Sequence, residues 1–358
     1  MSVEPLRVGI LGATGAVGQR FVALLQSHPW FEIRRLMASE RSVGKTYGDA
    51  VQWHLPGPIA PGLLEMPVTA CHPDGGVLDL VFSGLPASDA VTIEPLFADH
   101  DIPVVSNTRS FRMDPKVPLV IPEVNAGHLD ILPEQQAVCH RRGFIVTNPN
   151  CSTIALTLAL DPLHRRFGVR KVLVSTAQAV SGAGYPGLSV MSMLDNAIPY
   201  ISGEEPKLES EPRKIFGKRE PDGIVPADMC ISACCTRIAV RDGHLMHVSM
   251  TLDGRPGRDE IIACWDDYRS DIHDMDLPMK PARSVEYTDI PDRPQPYLDR
   301  DRGRGMTVTV GRLRECPVLG WKCVVLSHNT IRGAAGGAIL VAELLVRKGI
   351  LPLAPGSR

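Results

Sequence analysis

The sequence predicts an α/β protein built in two parts, and three observations carry that prediction. First, short apolar runs alternate with amphipathic, helix-like runs through residues 1–150, the pattern of a parallel sheet with helices on its faces. Second, the strand-like runs after residue 150 are longer and alternate apolar with polar, which predicts an α+β region on a mostly antiparallel sheet. Third, 358 residues with 44% hydrophobic, 22% charged and 5% aromatic side chains are an ordinary globular composition, with chain enough for two sizeable cores.

The elements follow in order. "LRVGILG" reads as the first strand and "AVGQRFVALLQSH" as a helix with Val17, Phe21, Leu24 and Leu25 at helical spacing. "EIRRLMAS" is the next strand, and "VLDLVFSGL", "IPVVSN" and "FIVTN" are short apolar runs ending in polar residues. Right-handed crossovers set the ends of such strands on one edge, where ligands bind. "STIALTLALDPLHRRF" then predicts a helix and "VRKVLVSTAQAV" a strand. "CISACCTRIAV" and "HLMHVSMTLDG" are joined through "RDG", which predicts an antiparallel hairpin. "MTVTVGRLRE" and "WKCVVLSHN" complete the second sheet. The segment between Tyr287 and Gly305, rich in Pro, Asp and Arg, predicts a long ordered loop, either an interface arm or a lid. In "IRGAAGGAILVAELLVRKG" small residues open a last helix and permit close backbone approach, so it is expected to pack back on the first part. The expected divisions are 1–150, 151–328 and 329–358.

Several function classes are excluded at this level. A formal net charge of −2 gives no long-range field for nucleic acid or an anionic membrane. No apolar run approaches the roughly 20 residues that span a bilayer, and the N-terminus lacks the basic and apolar regions of a signal peptide. Nine scattered cysteines do not form a disulfide framework, and Cys230, Cys234 and Cys235 lack zinc spacing. A reducing, cytoplasmic compartment and no metal are therefore expected.

Two stretches carry chemistry. "GILGATGAVGQRF" places Gly12, Gly15 and Gly18 between a strand and a helix, where a bare backbone lets a pyrophosphate meet the helix N-terminus. This predicts a Rossmann-like dinucleotide-binding domain. After the next strand, Ser39, Arg41, Ser42 and Lys45 offer hydroxyls and cations suited to a 2′-phosphate, so NADP is the expected cofactor, while Glu40 keeps NAD open. In "TNPNCSTIAL", Cys151 opens a helix, where unpaired N–H groups and the dipole lower a thiol pKa, with Ser152 and Thr153 available as caps. A catalytic thiol needs a proton-transfer partner. His244 stands out after the "RDG" turn, with Arg237 seven residues before it.

Six blocks, "GILGATGAVGQRF", "NPNCST", "AQAVSGAGYPG", "GEEPKLESEPRKI", "RIAVRDGH" and "NTIRGAAGGA", occur in an order that closely resembles the aspartate-β-semialdehyde dehydrogenases, particularly their archaeal and fungal branch. Glyceraldehyde phosphate dehydrogenases share the Cys–His logic but place the histidine closer than the 93 residues here (244 − 151), and N-acetyl-glutamyl-phosphate reductases differ around the thiol. The resemblance implies NADPH-dependent reduction of L-4-aspartyl phosphate through a thioester on Cys151, with His244 as acid/base and Gln178 orienting the acyl group. It also implies Arg237 on the α-carboxylate, Glu204 on the α-ammonium, and Lys207, Arg112 and Asn107 on the phosphate, with Arg109 a rival to Arg112. For the cofactor it implies Thr14, Ala16 and Val17 at the pyrophosphate turn and Ser39, Arg41 and Ser42 at the adenosine phosphate. Ser83, Gly84 and Leu85 would lie near the nicotinamide, with Gly182 and Asn329 closing the cleft. The second region would form the interface of a homodimer or homotetramer. The alternatives are a paralogue acting on another acyl donor, as in malonyl-CoA reductases, and a non-catalytic dinucleotide-binding homologue.

Overall fold

The computed structural model describes residues 4–220 and 223–351, so positions 352–358 of the expected C-terminal division and 1–3 of the first lie outside the described residues. The first sheet comprises β1 (Leu6–Leu11), β2 (Phe31–Met37), β3 (Val68–Thr69), β4 (Leu80–Ser83), β5 (Val104–Ser106) and β6 (Ile145–Thr147). Its strands are all parallel, in the order β3-β2-β1-β4-β5-β6. The order reverses between β1 and β4, which opens a crevice at the carboxyl ends of the strands. One face is covered by Phe21, Val22 and Leu25 of helix Ala16–Leu25 and by Ile339–Val346 of helix Gly336–Arg347. Phe97 and Ala98 cover the other. The last helix is buried from Gly336 to Val346, packed with the core of the first sheet, as its apolar sequence and small opening residues require.

The second sheet comprises β7 (Val169–Gln178), β10 (Cys230–Arg237), β11 (His244–Leu252), β12 (Val285–Thr288), β13 (Val308–Cys316) and β14 (Gly320–Ser327); β8 (Lys218–Glu220) and β9 (Gly223–Val225) form a separate two-stranded pair. Its order is β10-β7-β11-β14-β13-β12, antiparallel through the middle and parallel at both edges. The expected β10–β11 hairpin is therefore a correction. β7 lies between the two strands, pairing parallel with β10 and antiparallel with β11, and "RDG" turns the chain over the end of β7. Every second residue of β7 and β11 faces the helix Cys151–Phe167, so both strands bury one face in the same core. The loop between Tyr287 and Gly305 is ordered: Asp299 receives Arg293 and Arg302, and Arg300 donates to the Asp242 carbonyl at 3.0 Å. It thus braces the turn that leads into β11. No helix among the described residues is long and apolar enough to cross a membrane.

Candidate active site

The crevice of the first sheet is made of backbone. Gly12 has φ +77°, and a Cβ there would lie 2.9 Å from the Gly84 carbonyl oxygen. A Cβ on Gly18 would lie 2.1 Å from the Gly12 oxygen, so the turn can close onto the helix only without side chains. Thr14, Gly15, Ala16 and Val17 stay partly exposed along the start of that helix, leaving a cradle that fits a pyrophosphate. Ser39 and Arg41 are exposed and Ser42 is half-buried in the turn after β2; Arg41 makes no ion pair among the described residues. Gly84 and Leu85 border the crevice, but Ser83 is fully buried, so its side chain does not line it.

The second sheet's edge is made of side chains. Parallel pairing sets Arg237, at the end of β10, beside Gln178, at the end of β7. Antiparallel pairing brings the first residue of β11, His244, to the same edge, opposite Ser327 of β14. Four strand ends, each about 4.8 Å from the next, thus line up Arg237, Gln178, His244 and the segment leading to Asn329. Arg237 donates to the Ala179 carbonyl at 2.6 Å, and the Ala179 N–H donates to His244 Nδ1 at 3.1 Å. Gly182 passes over both: a Cβ there would lie 2.8 Å from Arg237 Nη1 and 3.2 Å from His244 Nε2. Asn329 clamps this loop, donating to Ser181 Oγ at 2.8 Å and accepting from the Gly243 N–H at 2.9 Å.

Cys151 is the first residue of its helix. The cap is Asn150, whose Oδ1 accepts from Ser152 and Thr153 N–H at 2.9 and 3.3 Å, not the hydroxyls of those two residues. Asn150 Nδ2 donates to Glu204, which also receives Gln178 at 3.2 Å and Lys207 at 2.5 Å. Glu204 and Lys207 share one face of helix Glu204–Ile215, as their spacing predicts, but they are paired with each other. Glu211, two turns on, accepts from the Asn150 N–H at 2.7 Å and from Arg112 at 3.0 Å. Arg112 is buried and also donates to the Asn107 carbonyl at 2.7 Å, so it is committed to the protein rather than free for phosphate. Its Nε and the Asn107 Nδ2 are buried without partners, and the rival Arg109 is exposed beside Gly203. Lys214 fixes this loop, donating to the carbonyls of Arg112, Asp114 and Val117 at 2.6–2.7 Å.

The electrostatics correct one expectation. Cys151 keeps some residue surface, yet burial of its thiol pushes the pKa up to about 12; Glu204 adds to the rise, while Lys207, Arg112 and Arg237 oppose it. A helix N-terminus alone does not make a thiolate here. Burial pushes His244 down to about 3, against the pull of Glu204 and with help from Arg237. Glu204 stays below the usual carboxylate range, because Lys207 and Asn150 outweigh its burial. Burial thus favours the neutral form of both Cys151 and His244 in the free protein.

Sequence reading missed Asn150, Glu211, Lys214 and the Glu123–Arg332 pair. That pair is bidentate at 2.7 Å and almost wholly buried, and it anchors the turn Ile331–Ala335. Within that turn a Cβ on Gly333 would lie 2.6 Å from Cys151 Cβ, so the helix beginning there backs directly onto the thiol residue. The small residues of "IRGAAGGA" were the signal for that approach, and the Asn before Cys151 was the signal for the cap. A cavity of about 340 Å³ lies between the two edges, bordered by Ala16, Arg20, Ser181, Tyr185 and Arg241.

Two family models match the chain: semialdehyde dehydrogenase, NAD binding domain, over residues 7–132, and semialdehyde dehydrogenase, dimerisation domain, over residues 160–332. An aspartate-semialdehyde dehydrogenase from Archaeoglobus fulgidus is 46% identical over 96% of this chain and 99% of its own length. One from Cryptococcus neoformans is 43% identical over 98% of this chain and all of its own. The structure of the Candida albicans enzyme with NADP superposes with a TM-score of 0.89 at 42% identity, covering 97% of this chain and 100% of that one. With likeness of this depth running nearly end to end, the chain belongs to the aspartate-semialdehyde dehydrogenase family.

Proposed function

We propose that this protein reduces L-4-aspartyl phosphate to L-aspartate 4-semialdehyde with NADPH, the step that feeds lysine, threonine and methionine synthesis. The observation that carries the reading is Cys151 at a helix start, with its buried thiol among Glu204, Lys207, Arg112 and Arg237. Arg237 beside this thiol suits a carboxylate, and Lys207, three residues from Glu204 on the same helix face, can turn from it to a phosphate.

Cys151 takes the acyl group as a thioester. Arg237 spends one N–H on Ala179 and keeps the rest of its fork for the α-carboxylate. Glu204 meets the α-ammonium once Lys207 turns toward the phosphate, where Asn107 Nδ2 and Arg109 add donors and Arg112 supports from behind. Gln178, between Arg237 and His244, orients the acyl group. The bound cofactor supplies the hydride. NADP is favoured by Ser39, Arg41 and Ser42 after β2 and by the NADP in the Candida albicans relative. The divisions 1–150, 151–328 and 329–358, self-association through the second region and a cytoplasmic location go with this reading.

The test is phosphate-dependent reduction of NADP by L-aspartate 4-semialdehyde, in the unmodified protein and in Cys151→Ser. Activity that needs phosphate and is lost in the variant is expected. No activity with NADP or NAD in the unmodified protein would overturn the substrate assignment.

A further inference from the structure

Asn107 and Asn148 follow the ends of two neighbouring strands. β5 and β6 pair in parallel with Ser106 opposite Thr147, so the next residue of each strand stands at the same edge. The Asn148 N–H donates to the Ser106 carbonyl at 2.8 Å, and the Asn107 N–H to the Ser83 carbonyl at 3.0 Å. The side chains then meet: Asn148 Nδ2 donates to Asn107 Oδ1 at 2.7 Å and to the Ala334 carbonyl at 3.3 Å. A backbone carbonyl can only accept, so it fixes which end of the Asn148 amide faces it. Asn148 in turn fixes the Asn107 amide, because turning either one over would set donor against donor or acceptor against acceptor. Asn148 is buried, and Gly337 leaves room for it: a Cβ on that glycine would lie 2.9 Å from Asn148 Oδ1. Arg112 holds the Asn107 carbonyl at 2.7 Å. Every polar atom of Asn107 is thus engaged except Nδ2, which is buried without a partner. Ala334 follows Gly333, the residue that backs onto Cys151, so the locked pair is built against the same turn as the thiol residue.

We propose that Asn148 is a positioning residue, oriented by the Ala334 carbonyl, that holds the Asn107 amide with its two N–H bonds toward the bound phosphate. This rests on the acyl phosphate reading above and adds how the site tells an oxyanion from a donor group. Lys207 and Arg109 bring charge to the phosphate, but a flexible cation does not fix where an acceptor must sit. A locked amide does. It accepts an oxygen lone pair at one point and rejects a ligand that offers an N–H or O–H there, since the two donors would then be left facing each other.

The test is a double-mutant cycle on the whole protein with inorganic phosphate as the probe. Phosphate at constant ionic strength should slow alkylation of Cys151 by iodoacetamide, followed on the Cys151 peptide by mass spectrometry, and the protection curve gives its Kd. Asn107→Ala should weaken phosphate about tenfold, through loss of one hydrogen bond to a charged group. Asn148→Asp keeps the shape but cannot donate when ionised, so the Asn107 amide should turn over. It should weaken phosphate about tenfold more when Asn107 is present than in the Asn107→Ala background, where only its added charge acts. NADP affinity should differ by less than about twofold across the cycle. Asn148→Ala, which brings no charge, repeats the cycle if the aspartate variant does not fold, and should again weaken phosphate only where Asn107 is present. A coupling under about twofold, a loss of NADP affinity equal to that of phosphate, or no protection by phosphate in the unmodified protein would overturn the proposal. Semialdehyde oxidation is read separately: its absence while the coupling holds would sink the substrate assignment and leave the locked amide standing as an oxyanion contact.

Discussion

The two sheets present their working edges in opposite ways. The first edge is made by what is missing: Gly12 and Gly18 leave backbone against backbone, and Ser39 and Arg41 stand exposed beyond it. The second is made by what is present: Gln178, Glu204, Asn150, Glu211 and Arg112 are buried and joined by hydrogen bonds, and Arg237 is buried beside them on the Ala179 carbonyl. An edge of bare backbone is harmed by adding an atom. A buried polar network is harmed by removing one, because the partner left behind keeps its desolvation cost.

The largest effect therefore belongs to the second edge. Glu211→Leu removes the acceptor shared by the Arg112 guanidinium and the Asn150 N–H, leaving a buried cation unpaired. The expected loss is about 3–5 kcal/mol of unfolding free energy, read by urea denaturation. A loss under about 1 kcal/mol, the scale of an exposed pair, would show that the network does not hold this edge. At the first edge, Gly18→Ala pushes a Cβ against the Gly12 carbonyl and Ala13, backbone atoms that cannot swing aside. The expected cost is about 1–3 kcal/mol, together with about a tenfold weaker dinucleotide Kd, read by fluorescence titration. Cys151 alkylation should hardly change. Equal damage to both readouts would mean that the two edges are not independent.

This contrast also explains what was legible beforehand. The glycine turn shows in a single short stretch, because three glycines between a strand and a helix have a local reason to be there. The parallel order of the first sheet follows from the same local alternation. The place of β10 does not. "RDG" has the chemistry of a hairpin turn, but β7 reaches the slot between β10 and β11 from more than fifty residues away in sequence, as Gln178 against Arg237 (237 − 178) shows. Glu123 and Arg332 are likewise 209 residues apart, and nothing local to either marks the pair. The blocks resembling a known family located Cys151, His244, Arg237 and Gln178, which do share one site. They did not reveal that Arg112 and Lys207 are already paired, since partnership is a property of the fold.

Asn150 tests whether the Cys151 helix depends on its cap or on its packing. Asn150→Ala removes the acceptor for Ser152 and Thr153 N–H and the donor to Glu204. A cost of about 1–2 kcal/mol is expected, the upper part of the range for a lost cap, because the Glu204 contact goes with it. Asn150→Asp should restore the cap yet set a second carboxylate beside Glu204, so it should recover less than an isolated cap would. Full recovery in thermal unfolding would mean that Glu204 does not sense position 150.

The smallest effect is expected at Arg41, and it tests the first edge where that edge relies on a side chain. Arg41 is exposed and has no ion pair among the described residues, so removing its charge leaves no buried partner stranded. Arg41→Gln should leave unfolding unchanged and lower the preference for NADP over NAD by about tenfold, the worth of one exposed contact to a phosphate. The readout is the ratio of kcat/KM for the two cofactors. Glu40, next in the chain, sets the direction of any residual preference: with the cation gone, its carboxylate favours a ribose hydroxyl and repels a 2′-phosphate. An unchanged ratio would place the 2′-phosphate contact on Ser39 and Ser42, and the first edge would then be read through backbone and hydroxyls alone.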